Sequence, residues 1–348
     1  MDHQESQKAG IPFRETSTPT PVDPERQQLL SRRISDLAME LERTPLARYV
    51  EQLYRELVDK GLSFRPKCYL ADEWGCPHNV PIIGIPFYLA SPELSRIEAE
   101  ETGFEVEEEH EILMFLRHEA GHAYNYAYRL YEDKDWTRLF GPYSRPYSDE
   151  YRSDAFSDHF VRHISGWYAQ KHPDEDFAET FAVWLTPGSR WREEYAGTPA
   201  EDKLLYVDRV VLRSARETPK VTAESLDAPM SEIQTTLADW YRTGRARQRP
   251  RLPKVINYDL RTLLPWKEGL DAAGTLRRAR HRLIRQVNYW TGVEPRLLGP
   301  LIDELLDRTR ALNLKIPPAE QESAQTGFAA MLTTLAMNYE YTGSFVKV

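Results

Sequence analysis

From about residue 107 to residue 132, apolar side chains recur at alternating three- and four-residue steps: Leu113, Leu116, Ala120, Ala123, Ala127 and Leu130. That rhythm predicts one stripe of an α-helix. His118 and His122 fall on roughly the opposite side, and Phe115 and Tyr126 add apolar surface beside them. A helix apolar on both sides must be buried around most of its circumference. The fold therefore has to pack neighbours around this segment while leaving its two histidines on a cleft.

Residues four apart on a helix stand one turn above the other on one face. Two imidazoles there can bind one small cation, and Zn²⁺ suits a tetrahedral set of nitrogen and oxygen donors. Glu119, directly after the first histidine, is displaced by about 100°, one helical step. It cannot easily join the same tetrahedron, but it can reach a water on the metal, whose pKa bound zinc lowers to about 7. Glu119 would then take that water's proton and pass it to the leaving group. The bland alternative is a pair of packing histidines beside a chance glutamate. Gly121 weighs against it, because glycine inside a helix costs about 1 kcal/mol relative to alanine. Something gains from the missing side chain, such as the close approach of a strand or a substrate. A second pair four apart, His159 and His163, has no glutamate after its first member and reads as surface or packing histidines, with Asp158 beside them as the acid that leaves a metal reading open.

A catalytic zinc site needs three protein ligands and one open position. The best downstream source is the segment "PDEDFAETFAVWL", a predicted short helix with Pro173 in its first turn. Glu175 and Glu179 share a face of it. One could bind the metal while the other hydrogen-bonds a ligand histidine from behind. Their spacing alone does not choose between them. Asp174 and Asp176 read as first-turn acids favoured by the helix dipole.

HEAGH followed by a tyrosine, and then E-D-F-A-E-T-F, resembles the zincin metallopeptidases of the lethal-factor-like type, and especially a bacterial family of zinc-binding metallopeptidases. The resemblance covers roughly residues 60 to 190. It implies that Glu175 is the third ligand and that Glu179 supports a histidine ligand. It also implies that Tyr168, seven residues before Glu175, steadies the oxyanion. Should Tyr168 not do so, Tyr143, Tyr147 and Tyr151 are the next tyrosines to consider. It further implies that an edge strand above the active-site helix pairs with an extended substrate. HEAGHA also occurs in membrane-bound AAA proteases, but this sequence contains no phosphate loop and no apolar run long enough to span a bilayer.

The rest of the chain falls into recognisable pieces. Residues 1–24 read as a disordered tail rich in polar residues and proline. Residues 25–60 have helical periodicity, divided near Pro45 and stopped at Gly61. "SFRPKCYLADEW" and "NVPIIGIPFYLAS" read as strands, the second at a sheet edge because of Pro81 and Pro86. Eight glutamates between residues 98 and 111 read as a solvated run leading into the histidine helix, or alternatively as an acidic rim selecting basic substrates. Residues 133–155 read as loop, with helical texture resuming near 156. Beyond about residue 200 the pattern is nearly all helical. Basic stretches at 242–254 and 277–286 read as solvated faces, or as partners for acidic surfaces of the same molecule, including the glutamate run.

The expected fold class is α+β: a tail over 1–24, a zincin-like catalytic domain over 25–215 with a small mixed sheet and an active-site helix, and a mainly helical region over 216–348. The expected function is a zinc-dependent metallopeptidase using His118, His122 and Glu175 as ligands and Glu119 as general base. The alternative is a non-catalytic zincin-fold binding protein. A peptide or protein is the expected substrate. A formal charge of -9 argues against nucleic acid as a partner. Nothing at the N-terminus resembles a signal peptide, so a cytoplasmic location is expected, with Cys68 and Cys76 as free thiols.

Overall fold

A computed structural model of the chain describes residues 24–102, 106–147, 153–215, 217–222, 225–245, 252–293 and 295–342. The tail expected over residues 1–24 lies, apart from Pro24, outside the described residues, as does Tyr151. The architecture is mixed but mainly helical. The described residues open with α1 (Pro24–Ser31) and α2 (Ala47–Asp59), and Gly61 stops α2 with a left-handed backbone, φ +85°. Strands β1 (Lys67–Ala71) and β2 (Ile82–Pro86) pair in parallel, Lys67 opposite Ile82 and Ala71 opposite Pro86. Then come α3 (Pro92–Thr102), α4 (Glu109–Tyr128), α5 (Lys134–Phe140), α6 (Pro173–Leu185), α7 (Trp191–Glu194), α8 (Pro199–Ser214) and α9 (Leu237–Arg245). The remainder comprises α10 (Ile256–Leu263), β3 (Leu270–Asp271), α11 (Ala272–Arg278), α12 (Arg280–Thr291), α13 (Pro295–Ala311), β4 (Lys315–Ile316) and α14 (Gln321–Thr342), with β3 and β4 antiparallel.

Apolar packing divides into two main clusters. One runs from Ile34 to Tyr241 and the other from Leu252 to Ala336. The first reaches past residue 215 because the segment after α8 returns to the N-terminal helices. Ile34 N–H donates to the Thr235 carbonyl and Leu237 N–H to the Arg32 carbonyl, so Met230, Leu237 and Tyr241 close that core.

The histidine helix α4 sits at its centre, and the predicted stripe is buried from Leu113 to Leu130. The glutamates before it have a structural job. Glu108 and Glu111 form a capping box in which each side chain accepts a backbone N–H of the other's end of the first turn. Helix α6 has the predicted bounds. Pro173 occupies its first turn, and the His172 ring accepts from the Asp174 N–H.

Two local expectations differ from what is found. Residues 134–140 form a helix where a loop was expected, capped by Asp133 and anchored by the fully buried Trp136. Residues 156–167, expected to turn helical, run through turns, bends and irregular backbone. His163 and Ile164 N–H both donate to Glu179 Oε2, at 3.2 and 2.9 Å, so they are not available to a helix. Strand β2 is entirely buried, and on the side away from β1 Gly84 exchanges both backbone hydrogen bonds with Gly75. That stretch of the edge is therefore covered by the chain's own loop.

Candidate metal centre between two helices

The site is made by the crossing of α4 and α6, and Gly121 makes that crossing close. A methyl group there would lie 2.8 Å from Ala178 Cα and 2.9 Å from the Ala178 carbonyl oxygen. The gain from the bare glycine is thus the approach of a second helix. With the two backbones in contact, the acidic face of α6 lies directly over the histidine face of α4.

Three atoms converge there. His118 Nε2 is 3.0 Å from Glu175 Oε2, His122 Nε2 is 3.1 Å from the same oxygen, and the two Nε2 atoms are 3.1 Å apart. A tetrahedral zinc site with bonds of about 2.0–2.1 Å has ligand–ligand edges of about 3.3 Å, so this triangle is only slightly contracted from that size. The opposite nitrogens of both rings face carboxylates. His118 Nδ1 is 2.8 Å from Glu179 Oε1. His122 Nδ1 is 3.1 Å from Asp174 Oδ2, within ion-pairing range but not aligned as a hydrogen bond. A carboxylate behind each ring favours the proton on Nδ1 and leaves the Nε2 lone pair pointing into the cluster, the orientation a metal-ligating histidine needs.

The electrostatics agree with a cation site. Burial disfavours the imidazolium of His118, yet Glu175 and Glu179 together push it up to about 9. Burial likewise opposes His122, but Asp174 and Glu175 raise it well above the ordinary histidine value. Burial would raise Glu175, but the two imidazoles, His122 foremost, hold its carboxyl well below the usual carboxylate range. Four buried carboxylates, Glu119, Asp174, Glu175 and Glu179, surround two rings. Such a cluster draws positive charge to itself.

Residues 90–189 match the model of a family described as "putative zinc-binding metallo-peptidase". That stretch contains both helices of the site. Comparison with curated proteins and with solved structures gave no significant match. The family is zinc-binding by its description, and the cluster of His118, His122 and Glu175 could hold a metal ion.

The remaining predicted residues lie around this triangle. Glu119 is buried on the same helix, and its carboxyl is raised by burial against the pull of His118 and His122. The Tyr168 ring packs edge-on against His118, centroids 5.6 Å apart, with Lys171 Nζ 5.1 Å from its centre. His159 is exposed, and the His163 ring bonds the Met114 carbonyl, so this pair does not come together on a helix face.

Two contributors are missing from the sequence reading. Asp174 was read as a first-turn acid. It is instead fully buried, accepts from Asn125 Nδ2 at 2.8 Å and from the Tyr126 hydroxyl at 2.5 Å, and backs His122. Asn125 and Tyr126, three and four residues after His122, carried the signal, but it needed α6 to give it meaning. Tyr147, named only as a fallback, donates its hydroxyl to Glu175 Oε1 at 3.0 Å while its ring stacks on His172 at 3.9 Å. Asp176 was also read as a first-turn acid, and it is a buried partner of Lys203, 2.6 Å away.

Proposed function

We propose that this chain is a zinc-dependent peptidase in which His118, His122 and Glu175 hold the metal and Glu119 is the general base. The observation that carries the proposal is the convergence of His118 Nε2, His122 Nε2 and Glu175 Oε2 to within 3.1 Å of one another, with Glu119 buried on the same helix. The family match over residues 90–189 supports the same reading, as does the packing of α4 against strand β2.

A zinc ion held there would polarise the peptide carbonyl and acidify a water. The chain's own residues do the rest. Glu119, its carboxyl raised above the usual carboxylate value by burial, takes the proton of the attacking water and delivers it to the departing amine. Glu179 and Asp174 keep the two imidazoles in the tautomer and orientation that aim both Nε2 atoms inward. Tyr147 occupies the other oxygen of Glu175 and so fixes how that carboxylate presents itself. Tyr168, against His118, is the proposed hydrogen-bond donor to the developing oxyanion.

The test is Glu119→Gln. It should keep one equivalent of zinc by elemental analysis and lose peptide hydrolysis by about 10²–10⁴-fold, the typical contribution of a positioned acid–base group. Near-parental turnover in this variant would remove Glu119 from the mechanism. A parent protein that binds zinc stoichiometrically but cleaves nothing in a broad peptide library would favour the non-catalytic binding protein instead.

A further inference from the structure

Glu175 gives its two oxygens to different neighbours. Oε2 meets the imidazoles, 3.0 Å from His118 Nε2 and 3.1 Å from His122 Nε2. Oε1 bonds neither ring and accepts the Tyr147 hydroxyl at 3.0 Å. Among the described residues, Tyr147 is the one hydrogen-bond donor to that oxygen. The division matters because a carboxylate can hold a metal ion by one oxygen or by both. A second oxygen from Glu175 would crowd the position that a catalytic zinc site keeps for water. Turning Oε1 inward would break its bond to Tyr147, so the hydroxyl opposes that movement.

The hydroxyl is held in place by the backbone that leads into α6. The Tyr147 ring stacks on His172, with centroids 3.9 Å apart and planes 14° from parallel. Both nitrogens of His172 are used: Nδ1 accepts the Asp174 N–H at 3.1 Å, and Nε2 donates to the Arg145 carbonyl at 2.7 Å. The ring therefore joins the start of α6 to the segment that carries Tyr147. Arg145, two residues before Tyr147, strengthens the same join. Its N–H closes a turn onto the Pro142 carbonyl at 3.0 Å, and its guanidinium donates to the Lys171 carbonyl at 2.7 Å. Glu175 and the donor that restrains it are thus both fixed to the first turn of one helix.

Burial does not explain a tyrosine at this position. Tyr147 is 49% exposed, whereas Glu175 is 6% exposed. A half-exposed ring gains little from leaving water. Its hydroxyl reaches a buried carboxylate from the solvent side, the side from which water would enter.

We infer that Tyr147, set in place by His172 and Arg145, restricts Glu175 to one coordinating oxygen and so keeps a metal position free for water. Tyr147 is a positioning residue, since it acts through Glu175. His172 gains a second task beyond capping α6, as the platform for that tyrosine. This inference rests on the metal site of the peptidase reading.

The test is Tyr147→Phe, which keeps the ring and removes the hydroxyl. Parent and variant are first matched for melting temperature and then loaded with one equivalent of Co²⁺ in place of zinc. The visible d–d absorption is read, which is strong for four-coordinate Co²⁺ and weaker once a fifth donor joins. The variant's bands should be severalfold weaker than the parent's. Its zinc affinity, by competition with a chelator, should stay at or above the parental value, while kcat falls about 10–100-fold with little change in KM. His172→Asn keeps a capping side chain but removes the platform, and should move the cobalt spectrum in the same direction.

Identical cobalt spectra in parent and Tyr147→Phe overturn the inference. So does a zinc affinity that falls in step with kcat, because Tyr147 would then be no more than a buttress for the ligand. Failure of the peptidase reading gives a different result. A parent that binds cobalt but cleaves nothing loses the kinetic arm alone, and a weaker Tyr147→Phe spectrum still supports the restraint on Glu175. Cobalt uptake that survives His118→Ala places the metal elsewhere and overturns both.

Discussion

Around α4 and α6 the interior holds His118, Glu119, His122, Asp174, Glu175, Asp176, Glu179 and Lys203, all buried. In the core from Leu252 to Ala336 the buried polar residues, among the described residues, are Thr275, Thr291, Thr309 and Arg280. The hydroxyls of Thr291 and Thr309 return to their own helix, and Arg280 pairs with Asp303 at the rim. Burying charge is expensive unless each group finds a partner. The first region accepts that cost where the partners converge on one cleft, whereas the second spends almost none. The difference separates a region built around buried charge from one built around apolar packing.

Substitutions in the two regions should therefore fail in different ways. The largest effect is expected from removing a ligand atom: His118→Ala, His122→Ala or Glu175→Ala should abolish stoichiometric zinc binding by elemental analysis. Retained zinc in all three would move the metal away from this cluster and dissolve the contrast.

Next come two stability losses of similar size. Lys203→Met leaves Asp176 buried without its partner, at a cost of about 3–5 kcal/mol. Asp176, already pushed up to about 7 by burial against the pull of Lys203, would take up a proton. Leu301→Ala in the second core should cost about 2–5 kcal/mol as a cavity. Denaturant melts should find both, but zinc affinity measured under folding conditions should fall only for Lys203→Met, because Asp176 adjoins Glu175. If Leu301→Ala weakens zinc as much, the two regions are not energetically distinct.

A smaller effect is expected behind the ligands. Glu179→Ala and Asp174→Asn should weaken zinc about 10–100-fold in competition with a chelator, less than Glu175→Ala. Were Glu179→Ala to lose the metal while Glu175→Ala kept it, their roles would be reversed. The smallest effect should come from Arg285→Ala. Its contact with Glu108, 3.6 Å and exposed on both sides, joins the two regions at the surface and is worth at most about 1 kcal/mol. A larger loss would mean that the basic stretch of α12 is a structural clamp on the glutamate run.

Much of the site was legible because helical periodicity is local. His118, Glu119 and His122 share a turn of α4, and Glu175 and Glu179 share a face of α6, whatever else the chain does. Residues 156–167 were misread for a related reason. Phe156, Phe160 and Ile164 recur at four-residue steps, which mimics a helix. The backbone there instead gives its N–H groups to Glu179, a competitor that no local pattern contains.

By itself the sequence determined the two helices, their histidine and carboxylate faces, and the residue types of a candidate metal centre, since each depends on neighbours within a turn or two. Tertiary structure alone decided what those faces meet. Gly121 against Ala178 brings α6 onto α4, which makes Asp174 the support of His122 and Glu179 the link between His118 and the 162–167 segment. The contacts between α4 and α6 join residues about 50 or more positions apart, and they depend on the packing distance between two helices, a quantity that no spacing along one chain encodes.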